Sequence, residues 1–447
     1  MPDRELAALR AYADWRSRRT RTLVPWLRLK ALAKGPQGRQ RLSAGLGRAT
    51  LGCMCPGPNR HLVLYCHNIG EVRTALPLVV ELRKRDPMLR YVVWTKSVAA
   101  HDAAPAILPE PCAVGYGPLD DTPAVRRALE ECRASALVIL EGDLRPTMVG
   151  AAREAGIRSA FVSAGLSPVE MARHRGHREG QRQMLEAVDL VAFKSEADAQ
   201  RAIELGVDRE RVWVGGNCRF DVGRLDLTPP RGPLAEFIEE SRLSGRDVVV
   251  AGSTYGREER YLAEMRSDLR VAGSLLLVVA PRKPGRADDV LATFGRAGAS
   301  VIRRTALGDG SGPPSSLTDV LVLDTMGELL TTYGLADICF VGGSLVNKGG
   351  HNIIEAAVHG KPVLFGPSLF NNADIAARLL ELSGGVCVRS ASELRESLVR
   401  LLADGQRRQD MGRAARQAVA ENEGAVARTV DRLLPLIGGN PGAARAL

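Results

Sequence analysis

The chain has 447 residues, 45% hydrophobic and 25% charged, which suits roughly two or three soluble domains and excludes a disordered chain. Aromatic residues make up only 4%, which argues against a nucleic-acid or carbohydrate surface built on ring stacking. The net charge of +10 is concentrated: residues 1–50 carry twelve basic against three acidic side chains, so +9 lies there and only +1 in the rest.

Residues 1–55 read as a basic N-terminal arm. It contains Trp15, Trp26 and the short apolar patch Leu23-Val-Pro-Trp-Leu-Arg-Leu29. A bilayer span needs about 20 apolar residues, so the arm is too short to cross one. No apolar run follows the early charges, so no secretory signal is expected. A basic, Trp-bearing segment suits an anionic membrane surface, while a solvated helix or a nucleic-acid arm would have the same composition.

The first α/β domain is expected over residues 56–225. His61-Leu-Val-Leu-Tyr-Cys66 predicts a strand and Glu71–Arg83 an amphipathic helix. Short apolar runs at 91–94, 136–140, 159–162, 190–193 and 212–214 continue the series, with helical stretches between them. Such alternation implies a parallel, doubly wound sheet. Thr228-Pro-Pro-Arg-Gly-Pro233 is rich in turn residues, so residues 226–246 read as a linker.

A second α/β domain is expected over 247–436, with strands at 247–251, 275–279, 300–302, 320–323, 338–341, 362–365 and 385–388. Residues 391–436 read as helical, and 437–447 as a flexible tail. The fold class is therefore α/β, with two Rossmann-like domains facing a cleft. The eight cysteines (53, 55, 66, 112, 132, 218, 339, 387) are scattered, several within apolar runs, as buried free thiols of a reducing compartment would be. Cys53-Met-Cys55 is too closely spaced, and lacks the second pair, for a zinc site.

Polar residues recur just after strands, where open α/β sheets bind ligands. In the first domain, Cys66-His-Asn-Ile-Gly-Glu71 joins strand to helix. Glu71 can serve as a general base on an acceptor hydroxyl, or simply complement the helix dipole. Glu141-Gly-Asp143 follows the strand at 136–140, and its two carboxylates can bind a sugar hydroxyl, face solvent or pair with Arg145. In the second domain, Gly252-Ser253-Thr254 offers N–H groups and hydroxyls. Glu141, Asp143, Ser253 and Thr254 form the acceptor- or sugar-binding set. Pro281-Arg282 follows the strand at 275–279, and the Arg282 fork matches a phosphate or carboxylate. Met326-Gly327-Glu328 closes a loop beneath a nucleobase.

The most informative stretch runs from Asp324 to Pro367. Gly342-Gly343-Ser344 ends an apolar strand, and Gly349-Gly350 opens a helix carrying Asn352 and Glu355 three residues apart. Paired glycines let a ligand approach the backbone, and a helix N-terminus favours phosphate. A carboxylate beyond it can hold a ribose diol. Pro281, Arg282, Met326, Gly327, Glu328, Gly343, Ser344, Asn352 and Glu355 thus form a nucleotide-binding set. The plainer reading is a βαβ unit whose glycines only make tight turns.

In order, these residues resemble the Kdo (3-deoxy-D-manno-oct-2-ulosonic acid) transferases, glycosyltransferases of the GT-B architecture. The resemblance covers about residues 60–390. It is most specific in Asp324-Thr-Met-Gly-Glu-Leu329, Phe340-Val-Gly-Gly-Ser-Leu345, Gly349-Gly-His-Asn352, Glu355 and Gly360-Lys-Pro-Val-Leu-Phe-Gly-Pro367. It implies a metal-independent, cofactor-free enzyme of lipopolysaccharide biosynthesis on the cytoplasmic face of the inner membrane. That enzyme would transfer Kdo from CMP-Kdo to a lipid A precursor or related anionic glycolipid. By the same resemblance, Glu71 is the general base, Glu141 helps place sugar or acceptor, and Arg282, Met326, Gly327, Glu328, Asn352 and Glu355 hold the CMP portion. Membrane surface, not nucleic acid, is then the partner of residues 1–50.

The chain departs from the family pattern in three places. It has a basic arm in place of a hydrophobic anchor. The family's Pro-Arg-His-Pro is Pro281-Arg-Lys-Pro284, and Glu-Thr-Glu-Leu-Trp-Pro-Asn is Glu141-Gly-Asp-Leu-Arg-Pro-Thr147. The alternatives are a GT-B enzyme using a UDP-sugar (glycolipid synthase or epimerase) and an inactive nucleotide-binding paralogue.

Overall fold

The structure of the protein, a computed structural model, describes residues 7–33, 35–46, 61–111, 113–142, 144–166, 171–172, 175–225, 227–228, 232–266, 268, 274–309, 315–369 and 372–438. The chain folds as two compact units, Met1–Asp221 with Glu423–Leu447, and Val222–Asn422.

The first unit holds seven parallel strands: β1 (His61–Cys66), β2 (Tyr91–Thr95), β3 (Ala113–Tyr116), β4 (Ala134–Leu140), β5 (Arg158–Ala164), β6 (Leu190–Phe193) and β7 (Trp213–Val214). Their order is β3-β2-β1-β4-β5-β6-β7. Successive strand residues point to opposite faces, so each strand feeds two cores. Val63, Tyr65, Val92, Trp94, Leu137 and Ile139 pack on one face with Leu9 and Tyr12. Leu62, Leu64, Val93, Val138 and Leu140 pack on the other with Val426, Val430 and Leu433. Burial on both faces is why these strands read as continuous apolar runs.

The two ends of the chain thus cover opposite faces of one sheet. The basic arm is not an appendage. Helix Ala7–Ala33 lies along the first unit, with Leu9, Tyr12 and Ala13 buried. Arg16 pairs with Asp120, and Arg21 with Asp121 at 2.7 Å. Gly180 permits the close crossing: a Cβ there would fall 2.8 Å from that of Tyr12. The expected boundary at 436 also moves. Helix Ala425–Gly438 belongs to the first unit, because Asp221 receives the N–H groups of Gly424 (2.7 Å) and Val426 (3.0 Å).

The second unit has β8 (Asp247–Thr254), β9 (Leu275–Pro281), β10 (Val301–Arg303), β11 (Val320–Val322), β12 (Ile338–Val341), β13 (Val363–Phe365) and β14 (Gly385–Cys387). All are parallel, in the order β10-β11-β9-β8-β12-β13-β14. The expected linker 226–246 largely belongs here. Helix Pro233–Leu243 buries Leu234, Phe237 and Ile238, and Arg242 pairs with Asp337 at 2.7 Å. Four cysteines (66, 132, 218, 339) are buried free thiols and Cys387 is half-buried. Cys53, Cys55 and Cys112, like Asp143, lie outside the described residues. Among the described residues, no helix is long and apolar enough to cross a membrane.

Candidate functional site

In each unit the strand order reverses direction once, between β1 and β4 in the first and between β8 and β12 in the second. Loops diverge at such a point and leave a crevice beyond the carboxyl ends of the strands. The described residues singled out from the sequence lie at or beyond the carboxyl ends of strands of these two sheets.

In the first unit, β1 runs into Asn68, whose side chain caps helix Ile69–Arg85 by accepting from Gly70 (2.8 Å) and Glu71 (3.2 Å). Glu71 closes the turn from the other side, accepting from the His67 N–H and, at 3.0 Å, from Asn68 Nδ2. This is the reciprocal logic of a capping box. The carboxyl group is only 4% exposed, yet it lines a cleft of about 870 Å³ together with His67, Asn68, Lys96 and residues of helix Ala7–Ala33. Glu71 is therefore both fixed by its own helix start and open to a ligand.

Glu141 ends β4 in the left-handed region, at φ 62°. A non-glycine residue there is strained, and such strain gathers at functional sites. Its carboxylate accepts both Nε and Nη2 of Arg219 and, at 2.5 Å, the Thr74 hydroxyl. Burial alone would raise its pKa, but Arg219, the Thr74 hydroxyl and Lys194 together hold it below the usual carboxylate value. Thr74 sits three residues along the helix from Glu71, so the fork of Arg219 ties Glu141 to the helix that carries Glu71. The anticipated pairing of this loop with Arg145 is not formed by Glu141. Arg145 is buried, donates to the Pro118 carbonyl at 3.1 Å and to the Tyr65 hydroxyl, and lies over the Tyr65 ring.

In the second unit, Ser253 ends β8 at φ 56° and Thr254 is buried, its hydroxyl donating to Glu259 at 3.1 Å. A Cβ on Gly342 would lie 2.8 Å from the Ser253 carbonyl oxygen and the Thr254 Cα, so glycine lets the ends of β8 and β12 touch. Gly343, at φ 69°, makes room for the stacked rings of Tyr255 and His351, whose centroids are 5.8 Å apart.

The N–H groups of Gly343 and Ser344 have partners within the protein. They donate to Glu258 at 2.8 and 3.2 Å, with Leu345 and Tyr255 adding donors at 3.0 and 3.1 Å. Ser344 is fully buried, and its hydroxyl bridges Val341 and Gly366. Gly343 and Ser344 thus shape the loop, and their N–H groups are taken up by Glu258. Glu258, missed from the sequence, fills a ring of N–H donors with the protein's own anion. Burial pushes its pKa up, against the pull of those four N–H groups.

The helix after Gly349-Gly350 begins only at Ile354 and spans Ile354–Ala357, so Asn352 lies before it. Four residues build little dipole, so it offers a phosphate little. Asn352 and Glu355 do meet: Asn352 Nδ2 donates to Glu355 Oε1 at 3.3 Å, and the glutamate is buried. Pro281 and Arg282 stand beside Thr254, with Arg282 N–H donating to the Thr254 carbonyl at 3.0 Å. Arg282 is half-buried. Met326 is exposed, Gly327 takes φ 94°, and Glu328 pairs with Arg304 at 2.9 Å. Pro281, Arg282, Met326, Gly327, Glu328, Asn352 and Glu355 thus share the carboxyl-end edge of one sheet.

Residues 39–222 match the family described as 3-deoxy-D-manno-octulosonic-acid transferase (kdotransferase). The chain is 31% identical to the 3-deoxy-D-manno-octulosonic acid transferase of Bordetella pertussis over 92% of its own length and 96% of the relative's. With the same-named protein of Haemophilus influenzae it shares 29% identity over 90% and 93% of the two chains. Among solved structures, S. aureus MnaA in its UDP co-structure superposes with a TM-score of 0.56 at 13% identity, covering 85% of this chain and 97% of that one. That likeness is one of fold.

Proposed function

The chain belongs to the 3-deoxy-D-manno-octulosonic acid transferase family, and from that premise we infer how its residues divide the reaction. It is a glycosyltransferase of GT-B fold that transfers Kdo in lipopolysaccharide biosynthesis. In our reading the donor is CMP-Kdo, the acceptor is an anionic glycolipid of the lipid A precursor type, and the step uses no metal or other cofactor.

The acceptor hydroxyl oxygen attacks the anomeric carbon of the donor sugar while the bond from that carbon to the phosphate oxygen of CMP breaks. Glu71 takes the hydroxyl proton, and CMP departs with the bonding electron pair. A positioned base of this kind contributes about 10²- to 10⁴-fold. Arg282 offsets the charge on the departing phosphate, and Asn352 with Glu355 receives the ribose hydroxyls. Met326 and Gly327, with Glu328 held by Arg304, form the base-side edge. Of the residues for sugar or acceptor, Glu141 belongs to the first unit and Ser253 to the second. Helix Ala7–Ala33 seats the enzyme on the anionic cytoplasmic face of the inner membrane.

The observation that supports the base role most directly is Glu71 itself: a carboxyl group pinned by a helix cap and open to an 870 Å³ cleft. The test is an assay with CMP-Kdo and a tetraacylated disaccharide bisphosphate, reading product by mass. Wild-type protein should form the Kdo adduct in EDTA as in buffer. Glu71→Gln should lose turnover by about 10²-fold or more while still binding CMP. Normal turnover in Glu71→Gln would refute the assignment, and EDTA-sensitive turnover would refute metal independence.

A further inference from the structure

A second cavity adjoins the cleft that holds Glu71. Its volume is about 240 Å³, and it shares Arg16, Thr20, Leu23 and Lys96 with that cleft. Four cationic side chains line it, from Arg16, Arg41, Lys96 and Arg145, against one carboxylate, that of Asp120. That carboxylate is already occupied, pairing with Arg16 and accepting the Thr147 hydroxyl. Arg16 and Asp120 offset one another, so Arg41, Lys96 and Arg145 give the lining an excess of cationic side chains, and its remaining wall is apolar where Leu23, Leu27 and Leu119 enter it.

Two of the cations, Arg145 and Arg41, are held in place by the fold. Arg145 sits immediately before helix Pro146–Glu154 and is 3% exposed, clasped by the Pro118 carbonyl and the Tyr65 hydroxyl. Arg41, on helix Gly35–Gly45, lies 6.0 Å above the Tyr116 ring. Such clustered cations beside an apolar wall recognise an anionic group joined to hydrocarbon.

We propose that this cavity seats a phosphate monoester of the acceptor glycolipid while the acceptor's hydroxyl lies at Glu71 in the adjoining cleft. Arg145, Arg41 and Lys96 form the cationic wall. Helix Ala7–Ala33, which supplies residues to both cavities, is then part of the acceptor site. The proposal rests on the glycolipid-acceptor reading above and names the group by which this chain selects that acceptor.

The test compares two acceptors in neutral detergent, a tetraacyl disaccharide bisphosphate and the same lipid stripped of its phosphates, using wild type, Arg145→Met and Arg41→Gln. Each variant should raise KM for the bisphosphate roughly tenfold or more, the loss expected for a charge-assisted hydrogen bond. KM for CMP-Kdo, and for the stripped acceptor, should stay as in wild type. Equal effects on both acceptors, or none on either, would overturn the proposal. Phosphatidylglycerol added to the micelles separates a lipid headgroup from an acceptor phosphate. If the variants abolish only its effect on rate and leave the bisphosphate KM unchanged, the cavity serves phospholipid and the proposal falls. Should Arg145→Met fail to fold, Arg41→Gln, on a half-exposed side chain, decides. Wild type inactive on both acceptors would count against the parent reading instead.

Discussion

The Gly343 N–H donates to the Glu258 carboxylate at 2.8 Å although 85 residues separate them in the chain. Ser344, Leu345 and Tyr255 add their N–H groups to the same carboxylate. A glycine-rich loop at the end of a parallel strand ordinarily suggests a waiting phosphate. Here an internal anion has taken that place and clamps the β8 and β12 loops together.

Replacing that anion should be costly. Glu258→Gln turns one acceptor oxygen into a donor facing backbone donors, and should cost about 2–4 kcal/mol in urea denaturation. CMP affinity should fall with it, since Ser253, Thr254 and the Gly342-Gly343 turn lose their tie. A variant as stable as wild type would show that the clamp carries no stability.

The Glu141–Arg219 pair gives a signed pH dependence. Burial raises the Glu141 pKa but Arg219, Thr74 and Lys194 outweigh it, so the folded value lies below the ordinary 4.5. A carboxyl group depressed in the folded state contributes stability that is fully present above its unfolded pKa and is lost as pH falls through the folded value. Wild type should therefore lose this contribution only below about pH 4.5, where Arg219→Met has none to lose. At neutral pH Arg219→Met should be about 3–5 kcal/mol less stable, since it strands a mostly buried charge. Parallel stability–pH curves for the two proteins below pH 5 would refute the linkage.

Both sheets were legible from the sequence because their strands are buried on both faces and read as apolar runs bounded by polar turns. β3 was not, since Ala113–Tyr116 is a four-residue edge strand containing a glycine. Helix Pro233–Leu243 was hidden by the Pro and Gly residues before it, which mark a turn without marking where it ends. The return of the last helix to the first unit depends on Asp221, and a lone aspartate carries no signal of a partner 203 residues away. Glu71, Glu141, Asn352 and Glu355 were singled out because each lies in the polar segment that follows an apolar strand. Glu258, Arg219 and Arg304 act through contacts far along the chain, and only folding brings those partners together.

That aspartate makes a prediction of its own. Asp221→Ala removes the acceptor of two buried N–H groups at the start of helix Ala425–Gly438, which covers one face of the first sheet through Val426, Val430 and Leu433. The cost should be about 2–3 kcal/mol, and limited proteolysis should release the C-terminal helix first. Wild-type protection of that helix would contradict the assignment.

The surface of helix Ala7–Ala33 carries the last prediction. Leu23, Trp26, Leu29 and Leu32 follow one another at intervals of three and are 49%, 56%, 68% and 61% exposed. Residues so spaced share a helix face, drifting slowly around it. Lys30 lies 4.7 Å above the Trp26 ring, and Arg19 and Arg28 flank the stripe. Leu23 also lines both cavities of the first unit, so the stripe begins at their rim. An enzyme acting on a lipid-borne acceptor benefits from this arrangement, because a bilayer contact at the stripe would bring the headgroup plane to the cleft. Binding to vesicles containing phosphatidylglycerol should be lost on changing Trp26 and Leu29 to Ser, while thermal stability changes little, as both side chains are exposed. Raising salt from 0.05 to about 0.5 M should weaken wild-type binding by screening the basic residues. Equal binding to neutral and anionic vesicles, unaffected by salt, would show that the arm's charge has no part in it.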